Sequence, residues 1–493
     1  MCKYRILVSM FNMKSVVILL IIIGVCVGSK VLVVFPVPGR SHGILGKSVV
    51  NILLNAGHEV TYVSPFPPEI SAPNLKYVNV SSVAAMLAGQ KRLNIAQLAQ
   101  APLPVHHVQH VGPMFARKTL EHPEVQALLQ DPDVTFDVVL AEWFFTGLLA
   151  PIAEVFDCPL IWYRTSDVCW QALRMMHEAS SPTYSRDMHG DRIPAQPFAF
   201  ADRLYETWIQ LYVTGWIYFV KYKVELPAYE ELYRQPFGVR GKTLPDYDSL
   251  VFNASLMLSN SHPPLGQGLA LPLNVKYVGG HNIQQNLQAI PKDLKIILDQ
   301  SKNGVIFFSM GSMLKGTDLP DALKRPIIDV FSQLDQTVIW KLEEQIQNLP
   351  KNVHVMEWAP QQSILNHTNT VLFITHGGLV SLLEATHFGV PVIGIPIFAD
   401  QFANVNLAVE RGVGVKIEFS QDFPQKLKTA INEVLSNRRY RENAKAASYV
   451  FRQRLATPQQ ELNHWVQLVV DTRGAMHLRS PALQVSAPDR LYL

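Results

Sequence analysis

Residues 358–401 read WAPQQSILNHTNTVLFITHGGLVSLLEATHFGVPVIGIPIFADQ, and their pattern decides the fold. Val371 to Thr375 is an apolar, β-branched run that ends in His376-Gly377-Gly378. Leu379 to Phe388 carries a helical pattern, Val392 to Ile395 is a second strand, and Gln401 to Arg411 a second helix. Strand, tight turn, helix, strand is the repeating unit of a parallel sheet covered on both faces. The turn also has chemical potential. Free N–H groups and the helix dipole at Gly378 favour a phosphate, and glycine lets it approach the backbone. His376 can donate to the same phosphate, Glu384 can accept from a pair of ribose hydroxyls, and Trp358 offers a flat face for a base. Taken singly, His-Gly-Gly is an ordinary tight turn and Trp358 an ordinary core residue; it is the joint spacing that reads as a nucleotide-sugar site.

The same unit recurs on either side. Gly304 precedes a strand, Val305 to Phe308, which leads to Met310-Gly311-Ser312; further strands are expected at Thr337 to Trp340 and Asn352 to Met356. Near the N-terminus, Lys30 to Phe35 is a strand and Pro36 to Ser41 a turn. Ile44, Leu45, Val49, Ile52 and Leu53 then repeat at helical spacing, and His58 to Val63 is the next strand after Gly57. The fold class is α/β, with two doubly wound Rossmann-like domains. We divide the chain into a leader (1–29), a first domain (30–280), a linker (281–302), a second domain (303–455) and a terminal helix and tail (456–493). The aromatic-rich, mostly helical stretch Arg192 to Tyr247 reads as an elaboration of the first domain.

Composition agrees. Of 493 residues, 48% are hydrophobic and 17% charged, which suits a well-buried core and excludes a disordered chain. A net charge of +3 with no basic stripe gives no reason to expect nucleic acid. Met13-Lys14, the apolar run Ser15 to Val27 and Gly28-Ser29 together read as a secretory signal peptide, the run being shorter than the ~20 residues a bilayer requires. Of four cysteines, Cys2 and Cys26 lie in the leader; whether Cys158 and Cys169 pair is not legible. Asn79, Asn253 and Asn366 begin glycosylation sequons. The expected location is therefore the endoplasmic reticulum lumen or the exterior.

The pattern Trp-x-Pro-Gln, His-x-Gly, Ser-x-x-Glu, Pro, Pro, Asp-Gln resembles, at every spacing, the signature of the UDP-glycosyltransferase family, inverting enzymes with the GT-B fold. The likeness extends over nearly the whole chain. Pro36 to His42 and Arg473 to Ser480 look most like insect members, with ecdysteroid-glucosylating enzymes of insect viruses next. It implies two domains facing each other across a cleft, and it implies roles. Trp358 and Gln361 would hold the uracil end and Glu384 the ribose. Ser312, His376, Gly378 and Ser381 would surround the diphosphate, and Asp400 and Gln401 would read the sugar hydroxyls. His42 would be the general base, steadied by Glu142, where many members have Asp. Val380 departs from the family's usual Asn, removing a polar contact near the phosphates.

The resemblance implies a hexose, glucose from UDP-glucose, moved to a small lipophilic acceptor, with UDP as leaving group and neither metal nor cofactor. Asp131-Pro132-Asp133 and Asp246-Tyr247-Asp248 resemble metal-binding Asp-x-Asp but read as loop acids. His106, His107 and His110 lack an acidic or cysteine partner and read as helix surface or pocket wall. Trp143, Phe144, Trp170 and Leu103 to His110 are candidate acceptor contacts. Family members of animals usually end in a membrane anchor, so membrane association is expected only with such a segment. The alternatives are a non-catalytic lipophile-binding protein on this scaffold and, more remotely, a sugar-nucleotide epimerase.

Overall fold

The structure is a computed structural model that describes residues 28–88, 106–177, 181–187, 197–311, 319–420 and 422–481. The leader lies outside them. Two parallel sheets form the frame. The first has seven strands: β1 (Lys30–Val34), β2 (Glu59–Ser64), β3 (Leu75–Asn79), β4 (Val138–Glu142), β5 (Leu160–Arg164), β6 (Leu256–Ser259) and β7 (Val275–Tyr277). They are ordered β3-β2-β1-β4-β5-β6-β7. The second has β8 (Val305–Ser309), β9 (Thr337–Lys341), β10 (Val353–Met356), β11 (Thr370–Thr375), β12 (Val392–Gly394) and β13 (Gly414–Lys416), ordered β10-β9-β8-β11-β12-β13.

Each sheet thus winds outward from its first strand in one direction and then reverses. The reversal falls between β1 and β4 in one sheet and between β8 and β11 in the other. There the connections leave to opposite faces and a crevice opens at the strands' carboxyl ends. The central strands can be uniformly apolar because helices cover both faces: every residue of β4, β5 and β8 is buried. In the second core Phe307 stacks on Phe373 and Phe308 on Trp340, both pairs with centroids 5.2 Å apart.

The chain crosses between the sheets twice. Residues 281–302, read above as a polar linker, are more ordered than that. His281 and Asn282 are buried, and Lys292–Gln300 is a helix whose Leu294 and Leu298 enter the second core. Its one-sided apolar pattern is too short to stand out in sequence. The return crossing follows the helix Arg438–Arg452. Thr457 and Gln460 form a reciprocal capping box that starts the helix Pro458–Asp471. That last helix packs on the first sheet: Leu462, Val466 and Val469 are buried with Val31, Val49 and Leu53, and Asn463 meets His58 Nε2 at 3.0 Å. The two crossings are tied together, since Gln459 donates to the carbonyls of His281 and Ile283, both at 3.0 Å.

The elaboration of the first domain is a long helix, Phe200–Val220, a π-helical turn, Lys221–Glu225, and a second helix, Leu226–Val239. Among the described residues no helix is long and apolar enough to cross a membrane.

Candidate active site

The two reversal points face each other across a cleft of about 1220 Å³. On the first-domain side His42 lies in the helix Arg40–Asn55, just after β1, and Glu142 is the last residue of β4. The sheet order that makes β1 and β4 neighbours is what joins residues a hundred apart in sequence. His42 Nδ1 is hydrogen-bonded to Glu142 Oε1; Glu142 is fully buried and also accepts from the Val37 N–H at 3.4 Å. A carboxylate only accepts, so Nδ1 is the donor, and in the neutral ring Nε2 is the nitrogen that carries the lone pair. The Phe144 ring meets the imidazole edge-on at 5.4 Å. His42 and Phe144 both line the cleft, with Val108, Val111 and Met114 beyond them.

On the opposite side Gly311 follows β8 and His376 follows β11. A side chain on either neighbouring glycine would collide with the imidazole. A Cβ on Gly311 would stand 2.4 Å from His376 Cε1, and one on Gly378 would stand 2.6 Å from Nε2. Gly311 and Gly377 also have φ of 79° and 83°, which glycine adopts freely. Enclosure, with Lys341 adding a like charge, pushes His376 down to about 4, so near neutral pH the ring is uncharged and has a single N–H to give. Lys341 Nζ donates to the Gly311 carbonyl at 3.1 Å and pairs with Glu343.

Glu384 lies on the helix Leu379–Phe388 and is only 5% exposed. Burial raises its carboxyl; opposing that, it accepts from Gln361 Nε2 at 2.6 Å, Gln362 Nε2 at 2.8 Å and Asn282 Nδ2 at 3.3 Å. Gln361 also donates to Ser381 Oγ at 3.1 Å. Trp358 is 64% exposed and lines the cleft, an open ring face where a core tryptophan would be enclosed. Asp400 and Gln401 begin the helix Gln401–Glu410. Gln401 Oε1 accepts from the Ile397 and Phe398 N–H groups at 2.8 and 3.2 Å, leaving the amide NH2 as its free end.

His42, Trp358, Gln361, His376, Gly378, Ser381, Glu384, Asp400 and Gln401 therefore share one cleft. Ser312 lies outside the described residues, as do 103–105 of the expected acceptor stretch. Two expected acceptor contacts are corrected. Trp143 is buried under the Arg164 guanidinium, 5.0 Å from its ring, and Trp170 is buried with its Nε1–H on Asp187 at 2.8 Å; both belong to the core. Their strand-end and helix-start positions face inward, which spacing alone does not reveal. His107 and His110 do line the cleft. Among the described residues no cluster of metal-ligating side chains occurs. Asp246 instead caps the helix Tyr247–Val251, and Asp248 pairs with Lys221 at 2.5 Å. Cys158 and Cys169 are unpaired thiols. Val380 packs against the first domain's core, an apolar contact between domains at the position where the family's Asn is expected. Asn282, Gln362 and Lys341 were missed; their only sequence signal is adjacency to Gly279-Gly280, to Gln361 and to a strand end.

Two facing doubly wound sheets, with an imidazole–carboxylate pair on one side of the cleft and a glycine-lined helix start on the other, are the architecture of the GT-B fold. Solved structures agree: a UDP-glucosyltransferase from Polygonum tinctorium aligns with TM-score 0.58 and 16% identity over 90% of this chain and 99% of that one. The calicheamicin glycosyltransferase CalG4 aligns with TM-score 0.58 and 17% identity over the same shares. The chain belongs to the family described as UDP-glucoronosyl and UDP-glucosyl transferase, whose model matches residues 29–486. UDP-glucosyltransferase 2 of the insect Dactylopius coccus is 30% identical over 460 residues, 92% of this chain and 86% of the relative. An ecdysteroid UDP-glucosyltransferase of Spodoptera littoralis nuclear polyhedrosis virus is 28% identical over 84% of this chain and 82% of its own. A rat UDP-glucuronosyltransferase is 26% identical over 89% and 84%. The protein is a glycosyltransferase.

Proposed function

We propose that this enzyme transfers glucose from UDP-glucose to a hydroxyl of a small lipophilic acceptor, with inversion, and that His42 is the base. The observation that carries the reading is the His42–Glu142 pair at the mouth of an apolar pocket, opposite the nucleotide-shaped side of the cleft. The acceptor hydroxyl gives its proton to His42 Nε2 as its oxygen attacks the anomeric carbon. The bond from that carbon to the diphosphate oxygen breaks on the far side. Glu142 stabilises the imidazolium that forms. The negative charge on departing UDP is met by the N–H groups at Gly378 and Leu379, by His376 and by Lys341. Trp358 stacks on uracil, Glu384 binds the ribose, and Asp400 with the Gln401 amide reads the sugar hydroxyls. Glucose as donor is supported by the insect and viral relatives; the lipophilic acceptor by Val108, Val111, Met114 and Phe144.

Entry to the secretory pathway is part of the proposal, supported by the leader and by the exposure of Asn79, Asn253 and Asn366. The test is transfer from labelled UDP-glucose to a panel of phenols and steroids, wild type beside His42→Ala. Glucoside formation that disappears in the variant is expected. Transfer from UDP-glucuronate alone would replace the donor assignment, and turnover surviving in the variant would remove His42 from the mechanism.

A further inference from the structure

The first crossing between the domains begins with two adjacent residues that bond in opposite directions. His281 bonds into the first domain: its Nδ1 lies 2.8 Å from Ser48 Oγ and its Nε2 2.5 Å from the Tyr163 hydroxyl. Asn282 bonds into the second: its Nδ2 donates to Glu384 Oε1 at 3.3 Å, and its carbonyl accepts from Gln362 Nε2 at 3.2 Å. One peptide, about 3.8 Å between Cα atoms, separates the two sets of contacts. Gln459 holds the same segment by the carbonyls of His281 and Ile283.

One order of protons satisfies this chain. Ser48 Oγ also bonds the His281 carbonyl at 3.0 Å, and a carbonyl only accepts. The one hydroxyl hydrogen of Ser48 therefore goes to that carbonyl, and the Nδ1–H of His281 donates to Ser48 Oγ. Burial keeps the ring neutral, so Nε2 accepts from the Tyr163 O–H. The reverse order would strand that fully buried O–H, which has no other acceptor among the described residues. The chain also closes on the proposed base. Ser48 follows His42 by six residues on one helix, about 9 Å along its axis. Tyr163 stands opposite Glu142 in the register of β5 on β4. His42, Ser48, His281, Tyr163 and Glu142 thus form a ring of contacts at the reversal of the first sheet, and Asn282 ties that ring to the carboxylate across the cleft.

We infer that His281 is a positioning residue for the transfer reaction: through Ser48 on one side and Asn282 on the other, it sets the helix that carries His42 against Glu384. A nucleotide seated at Glu384 then finds the imidazole already placed for the acceptor hydroxyl, and filling the nucleotide side stiffens the helix on the acceptor side. The effect on turnover rests on the reading of His42 as the base. The mechanical link from the nucleotide side to the helix Arg40–Asn55 does not.

Three single variants of the full processed chain separate the arms. Ser48→Ala removes the hydroxyl that His281 grips. His281→Gln can offer an oxygen near the place of Nε2 but loses the donor at Nδ1, whereas His281→Asn can offer an N–H near Nδ1. With UDP-glucose and a phenol, Ser48→Ala and His281→Gln are expected to lower kcat about tenfold with the Kd for UDP unchanged, and His281→Asn to recover most of the loss. Hydrogen exchange with UDP alone reads the link without turnover: saturating UDP is expected to protect Arg40–Asn55 in wild type and much less in Ser48→Ala. Protection that is equal in both, or absent from wild type, overturns the link. Unchanged kcat in Ser48→Ala and His281→Gln overturns the positioning role. So does a fall in UDP affinity that matches the fall in kcat, which would make His281 a structural tie only. Turnover that survives in His42→Ala removes the base reading alone, and the exchange result then decides the link by itself.

Discussion

Glu142 and His42 are a hundred residues apart, yet the buried carboxylate of one holds the Nδ1–H of the other because β1 and β4 are neighbours at the reversal of the first sheet. Loss of the imidazole in His42→Ala should lower kcat by roughly a hundredfold to ten-thousandfold, with the Kd for UDP unchanged by calorimetry. Glu142→Gln keeps the shape but removes the charge that stabilises the imidazolium, and should reduce kcat without altering UDP affinity. Equal losses in UDP binding would mean that the pair is structural.

On the donor side, Glu384 is held by three amide donors. Replacing it by Gln would put an amide among amides, leaving N–H groups opposed, so UDP affinity should collapse. Asn282→Ala removes one donor at 3.3 Å and should cost about 1 kcal/mol, roughly a fivefold rise in Kd. Trp358→Ala should weaken UDP binding through the lost stacking face. Calorimetric titration with UDP reads all three.

The glycines beside His376 make a separate prediction. Gly311→Ala adds a carbon 2.4 Å from the imidazole at a backbone φ of 79°. The ring must move, and the strained turn should cost about 1–2 kcal/mol of stability. UDP affinity should fall with it. An alanine variant that binds UDP as wild type does would show that His376 gives nothing to the diphosphate.

His281 predicts the behaviour in acid. It is buried between Tyr163, whose hydroxyl lies 2.5 Å from Nε2, and Ser48, whose Oγ lies 2.8 Å from Nδ1; burial pushes it down to about 3. Unfolding restores the ordinary value of 6.5. Above 6.5 neither state is protonated and nothing is lost. Between 6.5 and 3 only the unfolded chain takes up this proton, so His281 by itself lowers stability by about 1.4 kcal/mol for each unit the pH falls, and the partly buried His262, His376 and His387 add to the loss. Urea unfolding at pH 7 and pH 5 should show the loss, and His281→Gln should make it shallower.

The apolar periodicities made the two-sheet frame and the second domain's side of the cleft legible, because buried parallel strands read as continuous runs. The helix Leu379–Phe388 was placed at its ends, and the residues around it by their spacing. The short strands β7 and β13, three residues each, carry too few positions to show a pattern. The partners of Glu384 were hidden for a different reason. Asn282 comes from the crossing between domains, and no local pattern says where a crossing segment will rest. Trp143 and Trp170 were misassigned because aromatic residues serve a pocket wall and a core equally well; only burial separates them.

The return of Pro458–Asp471 to the first sheet makes that domain discontinuous along the chain. During synthesis its core stays incomplete while the whole second domain emerges and folds, and it closes only when the last helix leaves the ribosome. A stop codon just after Arg454 would therefore leave the second sheet whole and strip the first of Leu462, Val466 and Val469, which pack on Val31, Val49 and Leu53 about four hundred residues upstream.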